Sequence, residues 1–547
     1  MKLGDSSKER ENMEAYDIIT VGSGHNALVA AALLARAGNR VLVLERNDRP
    51  GGFVRTEEVT LPGFRHDLYA TRHPLFLISK AYSELEADLR ARGLEYLNTD
   101  LPTGVLLPDG RSALLSTDLE TSVAEFDRLS PGDGRALAEL MGEFGKYAHK
   151  VFPLFSLDLA SNQGQTLIRD LMACGKGGFA PFAAEFLQTA RDVLNDRFRS
   201  PVAKALIAPW VPHLGRTLDS VSSGFDVSLF LSALMAGGMP VARGGSDMLV
   251  KALGQIVTDY GGAIRCDAAV DRILVERGRA VGVRVKEGDT YSAGRAVIAS
   301  VNADQLYLRL LADADVPRPL VQQAKRYRYG LGCVQIQLAL SEQPDWPDDR
   351  LRIGQPHLLR NMEACALATA QAMNDDLPPE PTLSVDVPTQ LDPSRAPRGA
   401  AIMRVQVLQL PCRPRGDAAG QIDVGDGTWT EDLKNRFADR IVNLLGRYLP
   451  NLPGAIIGRH VISPEDLARY NPNSGPGDAY SGSLELAQSY LFRPLPGQPS
   501  HRTAVPNIFL VGAGTWPGAG VNGGSGYIVA HQLLRETPGT PTSPRSP

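Results

Sequence analysis

The 547 residues carry 43% hydrophobic and 22% charged side chains, the balance of a water-soluble globular chain long enough for two or three domains. A formal net charge of −4 lacks the concentrated positive surface that a phosphate backbone demands, which excludes nucleic acid as the main partner. Cys174, Cys266, Cys333, Cys365 and Cys412 are widely spaced without a CxxC pair, and no HExxH, EF-hand or GxSxG pattern occurs, so no metal, dithiol or hydrolase-elbow chemistry is expected.

In chain order, residues 1–14 are polar and lack the apolar core of a secretory signal, and they read as a disordered leader. Ala27 to Ala35 is too short to span a bilayer and runs into Arg36. A cytoplasmic protein is expected, with peripheral membrane contact left open.

Tyr16 to Val21 (YDIITV) predicts a short buried strand. Gly22-Ser23-Gly24-His25-Asn26-Ala27 follows, then a helix through Ala37 and a second strand, Val41 to Leu44, that ends on Glu45. This is a G-x-G-x-x-A fingerprint in its strand–turn–helix–strand setting, the signature of a dinucleotide site. Gly22 permits the tight turn, and Gly24 lets the backbone approach a pyrophosphate seated on the helix N-terminus with His25 and Asn26. Ala27 allows close helix–strand packing, and Glu45 would accept hydrogen bonds from the adenosine ribose. Arg46 and the pair Gly51-Gly52 extend the fingerprint in the manner of FAD proteins. The longer, bent FAD must pass beneath a second backbone turn free of side chains, and Arg46 could neutralise phosphate or stack near adenine.

The stretch VGSGHNALVAAALLARAGNRVLVLERNDRPGGFVRTEE resembles the opening of phytoene dehydrogenase-like flavoproteins. These include bacterial phytoene desaturases, the longer carotene ketolases and proteins of the pyridine nucleotide-disulfide oxidoreductase domain-containing type. The resemblance implies an α/β fold with one FAD. It pairs a Rossmann-like FAD-binding domain, assembled from discontinuous segments, with a mixed α+β substrate domain. The FAD-binding segments are expected at 15–75, 237–305 and 500–536, and the substrate domain at 76–236 and 306–499.

Further along, His66 in LPGFRHDLYATRHP has the titration range for proton transfer and could face substrate with Arg65 and Tyr69. A loop histidine satisfied by backbone is the other reading. Leu119 to Lys150 and Phe182 to Phe198 have helical spacing, whereas Cys333 to Leu340, Leu383 to Val387 and Ile402 to Leu410 alternate as strands do. The sequence DRILVERGRAVGVRVKEG predicts a hairpin, and the resemblance places Val270 beside adenine. Thr430 to Tyr448 reads as a helix capped by Thr430. The stretch from Gly427 to Pro496 again resembles the ketolase branch.

Asn507 to Val511 predicts a strand running into the glycine cluster Gly512 to Gly524, where backbone should lie against a ligand. The resemblance assigns this cluster to the ribityl chain and flavin. Ala513 stands where many relatives have an acid, leaving backbone N–H groups of Ala513, Val521 and Asn522 for the cofactor. Trp516 stands where desaturases often carry His. It reads either as an aromatic wall over the flavin or as a core residue. Residues 537–547, rich in Pro, Ser and Thr, predict a disordered tail.

The expected function is desaturation or oxidation of a mostly apolar or alicyclic small molecule by hydride transfer to flavin N5. The alternative is a reduced-FAD-dependent enzyme without net redox, an isomerase or a hydratase of a small unsaturated acid. Substrate identity, electron partner and oligomeric state are not legible in these residues.

Overall fold

The computed structural model describes residues 13–173 and 179–536, so the expected leader up to residue 12, Cys174 and the expected tail lie outside the described residues. The first strand begins earlier than YDIITV suggests, at Glu14. Glu14 and Ala15 pair with Tyr291 and Ser292, and Glu14 is further held by Arg265 and by the Tyr16 hydroxyl at 2.6 Å. The leader expectation therefore runs too far, because Glu14 finds strand and charge partners hundreds of residues away.

Seven strands form the first sheet, and they come from three distant stretches of chain. Glu14–Val21 lies between Val41–Leu44 and Thr290–Ala299, parallel to both. Ala263–Arg265 adds beyond Val41–Leu44, and Ile508–Leu510 adds beside the end of Thr290–Ala299, again in parallel. The hairpin Val270–Glu276 and Arg279–Val285 completes the sheet by antiparallel pairing. All the parallel strands end on one edge, the edge where open α/β sheets bind ligands.

Helix His25–Arg36 explains its own composition. Every residue from Asn26 to Ala35 is buried, because the helix is covered by the sheet and by helices Asp247–Asp259 and Gly524–Arg535. A Cβ on Gly526 would lie 1.9 Å from the Asn26 carbonyl oxygen, so the contact between the two helices depends on the missing side chain.

The second sheet runs in the order Ile456–Ile462, Gly332–Leu340, Ala401–Leu410, Leu383–Asp386, Gln355–Leu358, Thr103–Leu106 and Ser112–Leu115. The alternating strands form as expected, but their polar positions do not face water. All nine residues of Gly332–Leu340 and all ten of Ala401–Leu410 are buried. The apolar set, including Val334, Ile336, Met403 and Val405, packs against Leu433, Phe437 and Ile441 of helix Glu431–Gly446. That helix is capped by Thr430, whose Oγ1 accepts from Leu433 N at 3.2 Å.

Two expected helical stretches are each split. Ser130-Pro131-Gly132 separates Leu119–Leu129 from Asp133–Leu154. Proline disfavours helical geometry in the residue before it, and Ser130 is extended. The stretch starting at Phe182 divides into Phe179–Leu187 and Ala190–Arg197. Thr189 starts the second of these as an N-cap to Asp192 N. Two buried ion pairs fasten the early chain to the second sheet region: Arg72 to Asp386 at 2.8 Å, and Arg395 to Asp67 at 3.0 Å.

Candidate functional site

Three strand ends of the first sheet converge on Ser300. A Cβ on Gly22 would lie 3.3 Å from Ser300 Cβ, and one on Gly24 or Gly512 would lie 3.5 Å from Ser300 Oγ. Gly22 and Gly512 have φ of 88° and 108°, values that only glycine adopts without strain. Gly51 bridges to Gly24, and a Cβ on Gly52 would sit 3.4 Å from Gly24 Cα. The result is a cradle of bare backbone. Its floor is the start of helix His25–Arg36, where Gly24 supplies no side-chain cap and leaves the first-turn N–H groups for an anion.

Glu45 is buried at the end of its strand and organises the turn. Its carboxylate accepts from Ser23 N at 3.0 Å, from Ser23 Oγ and from Asn47 N at 2.9 Å. Its carbonyl accepts from Ala268 N at 2.8 Å, which brings the partly buried Val270 segment alongside. Arg46 is exposed at the same end.

The glycine cluster closes the other side. Asn522 Nδ2 donates to Gly520 O at 3.1 Å, and its Oδ1 accepts from Gly524 N at 2.8 Å, so this side chain shapes the loop. The amides of Ala513, Val521 and Asn522 donate to no protein acceptor among the described residues. Unpaired N–H groups beside a backbone cradle fit an elongated, oxygen-rich dinucleotide.

Over the second sheet, at Gln335, Gln355, Arg404 and Gln406, lies a cavity of about 680 Å³ with mostly apolar walls. It brings together His25, Tyr69, Ala513, Trp516, Val521 and Asn522 of the sequence candidates. His25 bridges the two halves of the cradle: its Nε2 is 2.9 Å from Asn26 Nδ2, and the Gly520 carbonyl accepts from its ring. Burial and the neighbouring His73 pull His25 down to about 3, so it is neutral near pH 7. Tyr69 stacks with Tyr470 at 5.2 Å and packs on Phe53 at 4.7 Å. Burial pushes its phenol well above the usual range.

His66 is a different case, and the expectation that it faces substrate with Tyr69 does not match its position. It sits in a two-residue strand paired with Glu57, is 1% exposed, and its Nε2 is 2.7 Å from Thr60 Oγ1. It does not line the cavity. Burial and Arg395 hold it down at about 4. Strand pairing turns this side chain away from the cavity that receives Tyr69.

Trp516 is both a wall of the cavity and a packed residue. Its ring lines the cavity, yet it is buried at 8% exposure, and Nε1 donates to Leu154 O at 2.8 Å. Phe155 and Tyr490 pack on it with centroids 5.1 and 5.9 Å away.

Several cavity residues have no local sequence signal. Arg216 pairs with Asp226 at 3.0 Å, and burial raises the Asp226 carboxyl against the pull of Arg216. Arg493, in the stretch YLFRPLP, is fully buried and donates from Nε to Ala513 O at 3.0 Å. His213 contacts His357 at 2.8 Å between ring nitrogens. No short motif unites these residues, because their segments meet only through the fold.

The family model described as "Flavin containing amine oxidoreductase" matches residues 28–534. Pyridine nucleotide-disulfide oxidoreductase domain-containing protein 2 of Rattus norvegicus is 27% identical, over 95% of this chain and 94% of its own. A limonene dehydrogenase polypeptide of Castellaniella defragrans is 25% identical over the same shares. A phytoene desaturase (neurosporene-forming) of Cereibacter sphaeroides is 26% identical over 94% of each chain. The crystal structure of an oxidoreductase from Methanosarcina mazei shares the fold, with a TM-score of 0.60 and 15% identity. That match covers 95% of this chain and 100% of the other.

Proposed function

This chain belongs to the flavin containing amine oxidoreductase family and is an FAD-dependent oxidoreductase; we propose that it removes hydrogen from a mostly apolar or alicyclic small molecule. The observation that carries this reading is the cavity of about 680 Å³, apolar along most of its wall and bordered by His25 and by the glycine-rich loop at Ala513 and Ala519 to Asn522. Its size suits a drug-sized or larger hydrocarbon body. Relatives named for limonene and phytoene support the same substrate class.

FAD, when bound, supplies a two-electron acceptor for hydride from a substrate C–H bond. In this proposal Gly22, Gly24 and the first turn of helix His25–Arg36 hold the diphosphate. Glu45 takes the ribose, with Arg46 and Val270 beside the adenine end. Gly51 and Gly52 cover the diphosphate, while the amides of Ala513, Val521 and Asn522 take the ribityl and flavin oxygens. Segments 15–75, 237–305 and 500–536 form the cofactor domain. Leu229, Phe155 and Phe230 hold the apolar body and exclude water. Tyr69 and Trp516 position it, and neutral His25 braces the cradle between Asn26 and the Gly520 carbonyl. No helix among the described residues is long and apolar enough to cross a membrane. A cytoplasmic location with peripheral membrane contact belongs to the same proposal.

Anaerobic addition of carotenoids, cyclic ketones and monoterpenes to the holoenzyme tests the reading. A true substrate should bleach oxidised FAD stoichiometrically. Turnover that requires prior reduction of the flavin, without net redox, would overturn dehydrogenation in favour of isomerase-type chemistry.

Glu45→Ala is expected to weaken FAD retention without abolishing it. Charge-assisted hydrogen bonds contribute about 1.5–3 kcal/mol each, or about tenfold to hundredfold in affinity. Equilibrium dialysis of the flavin checks this, and wild-type affinity would remove Glu45 from the ribose site.

A further inference from the structure

The second sheet turns toward the cavity a face that a purely apolar substrate would leave unused. Across the strands, His357 lies opposite Ser384, Ser384 opposite Gln406, and Gln406 opposite Gln335. On the neighbouring rung Arg404 lies between Asp386 and Gln337. None of these side chains is more than 8% exposed. Buried polar groups are costly unless paired, and here the pairing is incomplete.

Some members of the rungs are satisfied. Gln337 Nε2 donates to the carbonyls of Asp67 and Leu68, at 2.9 and 3.2 Å. Ser384 Oγ accepts from Gln355 Nε2 at 2.7 Å. Others are not: Gln335 Oε1, Arg404 Nε and His357 Nδ1 have no hydrogen-bond partner among the described residues. The charge is also unbalanced. Asp386 is engaged by Arg72 at 2.8 Å, and no carboxylate among the described residues lies within ion-pair distance of Arg404. Arg404 donates to Tyr69 O at 2.7 Å and to Gln406 Oε1 at 3.0 Å, which uses two of the five N–H groups of a guanidinium. Arg404, Gln335 and Gln406 all line the cavity.

We propose that Arg404 binds a carboxylate carried by an otherwise apolar substrate, so that this chain acts on an apolar acid rather than a pure hydrocarbon. The Nε2 donors of Gln335 and Gln406, which among the described residues rest only on the Cys333 sulfur at 3.6 and 3.5 Å, help to hold it. The inference rests on reading the cavity as the substrate site. A guanidinium in a low-dielectric wall gains most from an anionic, planar oxygen pair, because the fork matches a carboxylate and the charge is otherwise uncompensated. A hydrocarbon would leave that charge dry and unpaired, which opposes its own binding.

Titration calorimetry of the holoenzyme with sodium dodecanoate and with methyl dodecanoate tests this without requiring turnover. The acid should bind about tenfold to hundredfold tighter than its ester, the range of one charge-assisted hydrogen bond. R404Q should erase the preference, and R404K, which keeps charge but not the fork, should retain part of it. Flavin content and circular dichroism establish that the variants are folded. Should both fail to fold, Q335L and Q406L serve instead and should each reduce the preference. Equal affinity for acid and ester in the wild type, or an unchanged preference in the folded variants, would overturn the proposal. Failure of the redox reading shows separately, as no flavin bleaching by any compound that binds.

Discussion

Gly24→Val is expected to give a folded, colourless protein. At Gly24 the backbone φ is −56°, a value any residue adopts, and an added Cβ would meet only Ser300 Oγ at 3.5 Å, an ordinary contact. The backbone at Gly24 therefore accepts a Cβ without strain. The cofactor does not accept the side chain: the Gly24 backbone stands in the cradle with Gly51 and Gly52 across from it, and the valine methyls would occupy the space that a diphosphate needs over the helix N-terminus. Wild-type protein should be yellow and release intact FAD on denaturation, while the variant should retain none at equal circular dichroism. Full flavin content in Gly24→Val, or FMN in place of FAD in the wild type, would contradict this account. Gly526→Val is the opposite control. Its Cβ would collide with the Asn26 carbonyl, so loss of the fold is expected there.

Trp516→Ala should cost stability and alter catalysis together. Removing a buried indole leaves a cavity among Phe155, Tyr490 and Ile528 and strips the Leu154 carbonyl of its donor. Large aromatic-to-alanine changes of this kind cost about 3–5 kcal/mol. The same ring forms part of the cavity wall, so substrate affinity or turnover should change as well. Trp516→Phe should recover most of the packing but not the hydrogen bond, whose net worth is about 0.5–1.5 kcal/mol. Thermal unfolding, flavin content and steady-state kinetics on one preparation separate the effects. Unchanged kinetics with a large stability loss would confine Trp516 to packing, and an unchanged transition temperature would remove the packing role.

The cofactor cradle was legible in the sequence because its chemistry is local. A strand, a glycine turn, an apolar helix and an acid some twenty residues on form one contiguous unit. The bare backbone of Gly22 and Gly512 follows from turns that side chains would strain. The family resemblance added the distant strands that complete the sheet, and residues 28–534 match the family accordingly.

The cavity over the second sheet was legible only in part, for a physical reason. Alternation in Gly332–Leu340 and Ala401–Leu410 announces two unlike faces, but not whether the polar face meets water or a closed cavity. The sequence by itself determined an FAD-type cradle on an α/β scaffold with strands and helices beside it. Tertiary structure alone decided that His66 points to Thr60 while Tyr69 reaches the cavity, and that Arg216 meets Asp226. It also decided that Arg404 is buried with no carboxylate among the described residues at ion-pair distance. Each of those outcomes depends on which distant segment covers a given face, and no local pattern of residues encodes that.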